Sequence, residues 1–167
     1  ERLVGCAAGS APEVTVFCDE PRPAYDRVNL TSFFSGKSVS DLSVVPGRFL
    51  EEHAMTLRLN DKIVGIDRVR KLVRSVRYRD VPYDKLVLAT GSIPFVPPIP
   101  GRDRPDCFVY RTIDDLEVIS AAAQRARVGA VVGGGLLGLE AAKALKDLGL
   151  TTHVVEFAPQ LMAVQLD

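Results

Sequence analysis

Three glycines and one acid carry the most specific chemistry in this sequence. Gly133, Gly135 and Gly138 stand at G-x-G-x-x-G spacing. In such a turn the first glycine makes the tight bend and the second lets a pyrophosphate approach the backbone. The third lets a helix pack close to the preceding strand. The helix N-terminus beyond offers free N–H groups and a positive dipole end to the phosphates. Glu156 follows about twenty residues later, where a carboxylate can accept both ribose hydroxyls. Phe157 and Ala158 come directly after it, with no arginine. A 2′-phosphate would meet a carboxylate and no obvious cation, which favours NADH over NADPH. A tight strand–helix turn with a surface glutamate is the bland alternative, and the agreement of turn, flanks and acid weighs against it.

The flanks must be a strand and a helix for this chemistry to work. Ala130, Val131 and Val132 form an apolar run of the kind buried on both faces of a parallel sheet. Leu139 to Leu148 reads as the helix, and Thr152 to Val155 as a second strand ending at Glu156. Glu140, two positions beyond Gly138, falls in the first turn of that helix, where a carboxylate complements the dipole by about 0.3–1 kcal/mol.

Upstream, Glu1 to Ala8 has a helix-compatible composition without a start signal, and Gly9 to Glu13 reads as a turn. Val14 to Cys18 is a strand closed by Asp19-Glu20-Pro21. Carboxylates at a strand's C-terminal end sit where a ribose-binding acid belongs in a dinucleotide fold, although such a turn is also ordinary loop chemistry. Tyr25-Asp26-Arg27 and an aromatic pair, Phe33-Phe34, follow, and Ser40 to Ala54 is weakly helical. Met55 to Leu59, Lys62 to Ile66 and Lys71 to Tyr78 alternate as the strands of a small β-meander. Leu86 to Ala89 is a further strand running into Thr90-Gly91-Ser92. The prolines 94, 97, 98 and 100 make a stiff connector. The boundary falls there, giving portions 1–103 and 104–167. Phe108 to Tyr110 reads as a short strand and Ile113 to Arg125 as a helix capped by Thr112.

Composition narrows the function classes. The chain has 167 residues, 47% hydrophobic and 25% charged, the balance of a globular protein. Lys plus Arg equals Asp plus Glu at 21 each, so no global field draws it to nucleic acid or anionic lipid. The basic run Lys62 to Arg79 alternates with valines and leucines, as a solvated face of strands does. Cys6, Cys18 and Cys107 lie far apart, without disulfide, zinc or redox spacing, and read as small buried hydrophobes. His53 and His153 have no partner at ligand spacing, so no metal site is expected. No signal peptide and no apolar run near 18 residues is present, and a cytoplasmic setting is the expectation.

The segments Tyr83 to Ser92, Ile99-Pro100-Gly101 and Gly133 to Glu140 together resemble the two-dinucleotide-domain flavoprotein reductases. Within them, Phe17 to Arg22, Ala24 to Val28, Asp106 to Ile113 and Glu156 to Pro159 resemble the large subunits of assimilatory NADH-dependent nitrite reductases. Related ferredoxin reductases carry a lysine where Ser32 stands here. The resemblance implies an α/β, Rossmann-like, three-layer flavoprotein with a small β-meander, binding FAD in 1–103 and NADH from 104 on. It implies FAD contacts from Asp19 or Glu20 (ribose), Arg27 (phosphate), and Thr90 and Gly91 (flavin nucleotide). It also puts Glu140 near flavin and nicotinamide. The glycines and Glu156 fall to NADH. Iron–sulfur and sirohaem centres reducing nitrite to ammonia, a small subunit and a homodimer are implied for the parent protein. No first glycine-rich turn precedes Glu1 and no sirohaem ligands follow Asp167, so the chain reads as a fragment, inactive by itself. A stand-alone reductase for ferredoxin or rubredoxin, and a non-catalytic nucleotide-binding module, are the competing readings.

Overall fold

A computed structural model describes residues 12–163. The expected helix tail over 1–8, with Cys6, lies outside the described residues. Packing divides the chain into two compact units. The first holds the chain up to Tyr25 and Ser43–Gly91, and the second Asp26–Leu42 and the chain from Ser92 on. Packing therefore changes hands at other places than 103/104. Which portion serves which cofactor is a separate proposal, taken up below.

In the first unit, β1 (Thr15–Phe17) pairs in parallel with β2 (Thr56–Arg58), in register from Thr15↔Thr56 to Phe17↔Arg58. A one-turn helix, α1 (Phe49–Glu52), precedes β2. It is all that forms of the helix expected over 40–54. Pro46-Gly47 delays its start, and Ala54, at φ 48°, ends it. The β2 segment was expected to open the meander and does not. The N–H groups of Asn60 and Asp61 donate to Glu20 O and Cys18 O at 3.0 and 2.9 Å, so the chain keeps following β1 instead of turning back.

The meander is made of β3 (Ile63–Asp67), β4 (Leu72–Ser75) and β5 (Arg79–Pro82), all antiparallel. Asp67 shapes its first turn by accepting the N–H groups of Val69 and Arg70. In the second, Ser75 Oγ accepts the Tyr78 N–H at 2.8 Å and Arg79 takes φ 60°, so the single strand expected over 71–78 becomes a hairpin. Arg68, Arg70, Lys71, Arg74, Arg77 and Arg79 are all exposed, but so are Val64, Val69 and Val76, and Val73 is the buried valine of the run. Beneath them Asp61 is fully buried, accepting Ser75 Oγ–H and Arg77 N–H at 3.0 Å each. Leu86 to Ala89 does not form the expected strand. Among the described residues it finds no partner strand, and Val87 and Leu88 are 72% and 66% exposed.

The second unit begins with a 3-10 helix, Leu30–Ser35, absent from the sequence expectations. Asp26 Oδ1 accepts the N–H groups of Val28 and Asn29 ahead of it, and Gly36 at φ 92° ends it. Phe108 to Tyr110 forms no strand. The helix α2 (Ile113–Ala123) has the expected cap: Thr112 Oγ1 accepts the Asp115 N–H, and Asp115 returns the bond to the Thr112 N–H. Ile113, Leu116, Ile119 and Ala123 form its buried stripe.

β6 (Val128–Val132), α3 (Leu136–Asp147) and β7 (Thr151–Val155) make a βαβ unit, its strands parallel from Val128↔Thr151 to Val132↔Val155. Two expectations need correction here. β6 is covered on one face only: Val128 and Val132 are 58% and 65% exposed, while Leu145 of α3 lies over Gly129. The helix also starts at Leu136, directly after Gly135, rather than at Leu139. No helix of the described residues is long and apolar enough to cross a membrane.

Candidate nucleotide-binding site

The glycine turn is built as its spacing requires, and each glycine meets a different constraint. Gly133 continues the ladder by donating to Val155 O at 2.9 Å, then turns the chain at φ 118°. A Cβ on Gly138 would stand 2.0 Å from Gly133 O, so only glycine lets α3 lie this close to the turn. Among the described residues, a Cβ on Gly135 would meet nothing within 4 Å, which leaves open space before the helix N-terminus, and no side chain caps that terminus. No acid occupies its first turn. The arrangement suits a pyrophosphate.

Glu156 is held against the turn. Its Oε2 accepts the Gly134 N–H and its Oε1 accepts the Ala158 N–H, the latter at 2.8 Å. These bonds, Ala158's foremost, hold the carboxyl below the usual range. Met162 N–H donates to Gly134 O at 2.9 Å, so 156–162 folds back over the glycines. Gly134 is buried, and a Cβ there would stand 2.6 Å from Leu161 Cδ2 and 3.0 Å from Glu156 Oε2. Sequence reasoning treated Gly134 as a spacer. The uninterrupted run Gly133-Gly134-Gly135 was the available signal. Phe157 beside it is fully exposed.

Glu140 lies in the second turn of α3 rather than the first, because the helix begins earlier than expected. Macrodipole effects fade within the first turn, so dipole complementation is the weaker account. Its Oε2 stands 3.5 Å from Thr31 Oγ1, and Thr31 Oγ1 accepts the Tyr110 hydroxyl at 3.0 Å. The Tyr110 ring stacks on Phe34 at 6.3 Å between centroids. Burial pushes the Tyr110 phenol up, the Thr31 bond opposes this, and the Glu140 charge adds to it. Neither Thr31 nor Tyr110 was singled out in the sequence. Partners so distant along the chain leave no local pattern. Arg27, in the same unit, donates from Nη1 to Arg111 O at 3.0 Å.

The remaining candidates lie in the first unit. Asp19 and Glu20 sit at the C-terminal end of β1. Asp19 is exposed, and Glu20 Oε2 accepts the Tyr25 hydroxyl at 2.7 Å. Arg58 ends the neighbouring β2 with its guanidinium 3.8 Å above the Tyr78 ring, and its buried Nε has no hydrogen-bond partner among the described residues. Carboxylates at the C-terminal end of a parallel strand can accept ribose hydroxyls. Thr90 and Gly91 are exposed, with Gly91 at φ 65°. His53 Nδ1 bonds Phe49 O at the end of α1, and His153 is a residue of β7, so each serves as an element residue.

Residues 6–167 match the model of the pyridine nucleotide-disulphide oxidoreductase family. The chain is 59% identical over 154 residues to the nitrite reductase [NAD(P)H] large subunit of Klebsiella oxytoca, covering 92% of this chain and 16% of that protein. It is 56% identical to the nitrite reductase (NADH) large subunit of Escherichia coli, covering 93% and 18%. The chain thus spans less than a fifth of either relative. Among solved structures it resembles a ferredoxin reductase from Rhodopseudomonas palustris, with a TM-score of 0.83 at 30% identity over 91% of this chain and 38% of that one.

Proposed function

The chain belongs to the pyridine nucleotide-disulphide oxidoreductase family, and we propose that it is the NADH:FAD electron-input segment of a nitrite reductase large subunit. One observation supports this most: the Glu156 carboxylate is held against the Gly134 N–H of a glycine turn whose Gly135 faces open space. High identity to two nitrite reductase subunits over nearly all of the chain gives the reading its substrate.

In this reading Gly133, Gly135 and Gly138, with the N-terminal N–H groups of α3, hold the NADH pyrophosphate. Glu156 accepts the ribose hydroxyls and turns away a 2′-phosphate, since 157 and 158 supply no cation. Asp19 or Glu20 takes the FAD ribose, Arg27 an FAD phosphate, and Thr90 and Gly91 border the flavin nucleotide. FAD thereby belongs to 1–103 and NADH to 104–167. When bound, the flavin accepts a hydride from nicotinamide and hands electrons on one at a time. The protein's task is alignment, and Glu140 supplies a negative charge beside the nicotinamide, whose oxidised ring is cationic.

Onward transfer to iron–sulfur and sirohaem centres, and then to nitrite, belongs to the remainder of such a protein. A small subunit, a homodimer and a cytoplasmic location are part of the same proposal. A stand-alone reductase delivering electrons to ferredoxin or rubredoxin is the second reading, favoured by the ferredoxin reductase likeness. A module that binds NADH without passing electrons on is the third. Anaerobic NADH oxidation by the full-length protein, with and without nitrite, separates the three when the visible spectrum is recorded. Nitrite-dependent oxidation with flavin and sirohaem bands is the expected result. Flavin bleaching without nitrite dependence would move the function to a general flavoprotein reductase, and no bleaching would leave a binding module.

A further inference from the structure

Among the described residues, Glu140 is a carboxylate without a cation. Its one polar side-chain partner among the described residues is the Thr31 hydroxyl, and no lysine or arginine pairs with it. Ser32, next along the chain, is turned to Asn29 O at 2.6 Å and gives it nothing. Behind Thr31 stands Tyr110, whose hydroxyl donates to Thr31 Oγ1 at 3.0 Å. A hydroxyl that accepts one hydrogen bond has its own proton free to point elsewhere, and here it points to Glu140 Oε2. The two hydroxyls therefore run in one direction, each donating toward the carboxylate, and such chains polarise one another. The chain is anchored at its far end, because the Tyr110 ring stacks on Phe34 of the same 3-10 helix that carries Thr31.

We infer that Thr31 and Tyr110 are positioning residues for Glu140, orienting its carboxylate toward the nicotinamide and so setting the balance between NAD+ and NADH affinity. The inference rests on the proposed place of Glu140 beside the nicotinamide. A carboxylate steadied by neutral donors keeps its full negative charge for a ligand, whereas one paired with lysine or arginine is already neutralised. The oxidised ring is cationic and the reduced ring neutral, so an uncompensated carboxylate favours NAD+ selectively. The 3.5 Å spacing between Thr31 and Glu140 is long for a hydroxyl–carboxylate bond.

The test is calorimetric binding of NAD+ and NADH to the full-length, FAD-loaded protein, which needs no turnover. Thr31→Val should weaken NAD+ roughly three- to tenfold and leave NADH within about twofold. Tyr110→Phe should act in the same direction but less, and Thr31→Ser should restore the original ratio. In a Glu140→Gln background Thr31→Val should have no further effect, because the group it positions has lost its charge. Equal weakening of NAD+ and NADH by Thr31→Val, or the same effect in both backgrounds, would overturn the positioning role and leave the proposed function standing. Glu140→Gln that changes neither affinity would instead remove Glu140 from the nicotinamide, and with it the premise.

Discussion

Two parallel strand pairs, each with acids at a C-terminal end, are finished to different degrees. β6 and β7 are joined by a single helix, pair along their full lengths, and close on a glycine turn that Glu156 itself holds. β1 and β2 pair over a shorter register, separated by a long excursion through the other unit. The segment leading to Thr90 and Gly91 forms no strand beside them among the described residues, and its apolar side chains face solvent. A site whose parts are all sequence neighbours can assemble from local geometry. A site whose parts come from distant strands needs the rest of its sheet.

Several variants would break or sharpen that contrast. Gly138→Val should do the most damage, since its side chain meets the Gly133 carbonyl. We expect a loss of about 3 kcal/mol or more in denaturant unfolding, together with loss of NADH binding. Gly135→Ala is its control: with φ −81° and open space around it, stability should change by about 1 kcal/mol at most while NADH affinity falls. If both glycines behave alike, the turn is not divided in function as described. In the first unit, Asp61→Ala should cost about 2 kcal/mol, because a buried hydroxyl and the part-buried Arg77 N–H lose their acceptor. A neutral result would show that the meander is not tied to β1 through this residue.

Glu156→Ala should weaken NADH about tenfold and spare NADPH; equal loss of both would remove the ribose assignment. The smallest effect is a pH dependence. Because hydrogen bonds lower the Glu156 carboxyl, its hold on the Gly134 N–H is complete above the usual carboxylate range. It is lost only as pH falls through the lowered value. The protection of the Gly134 amide, its exchange rate relative to the intrinsic rate at each pH, should therefore fall at acid pH in the wild type and show no such step in Glu156→Gln.

Legibility followed the same division. The spacing of Gly133, Gly135 and Gly138, the Thr112 cap and the end of β7 at Glu156 were readable, because each is fixed by residues a few positions apart. Where pairing is chosen at a distance, reading by alternation went astray. Met55 to Leu59 has the alternation of a first meander strand, but Glu20 O and Cys18 O take the N–H groups of Asn60 and Asp61 and keep the chain beside β1. Leu86 to Ala89 has strand composition, yet composition cannot supply a neighbour. The Thr31–Tyr110 support of Glu140 was invisible for the same reason, since three segments far apart in the chain bring it together.

Direct calorimetric binding of NADH and NADPH to the full-length protein tests most plainly whether the turn from Gly133 to Glu156 is an NADH site. Saturable NADH binding is expected, with NADPH weaker by about tenfold or more, the penalty of a 2′-phosphate facing the Glu156 carboxylate. Equal affinity for the two, or no binding of either, would contradict it.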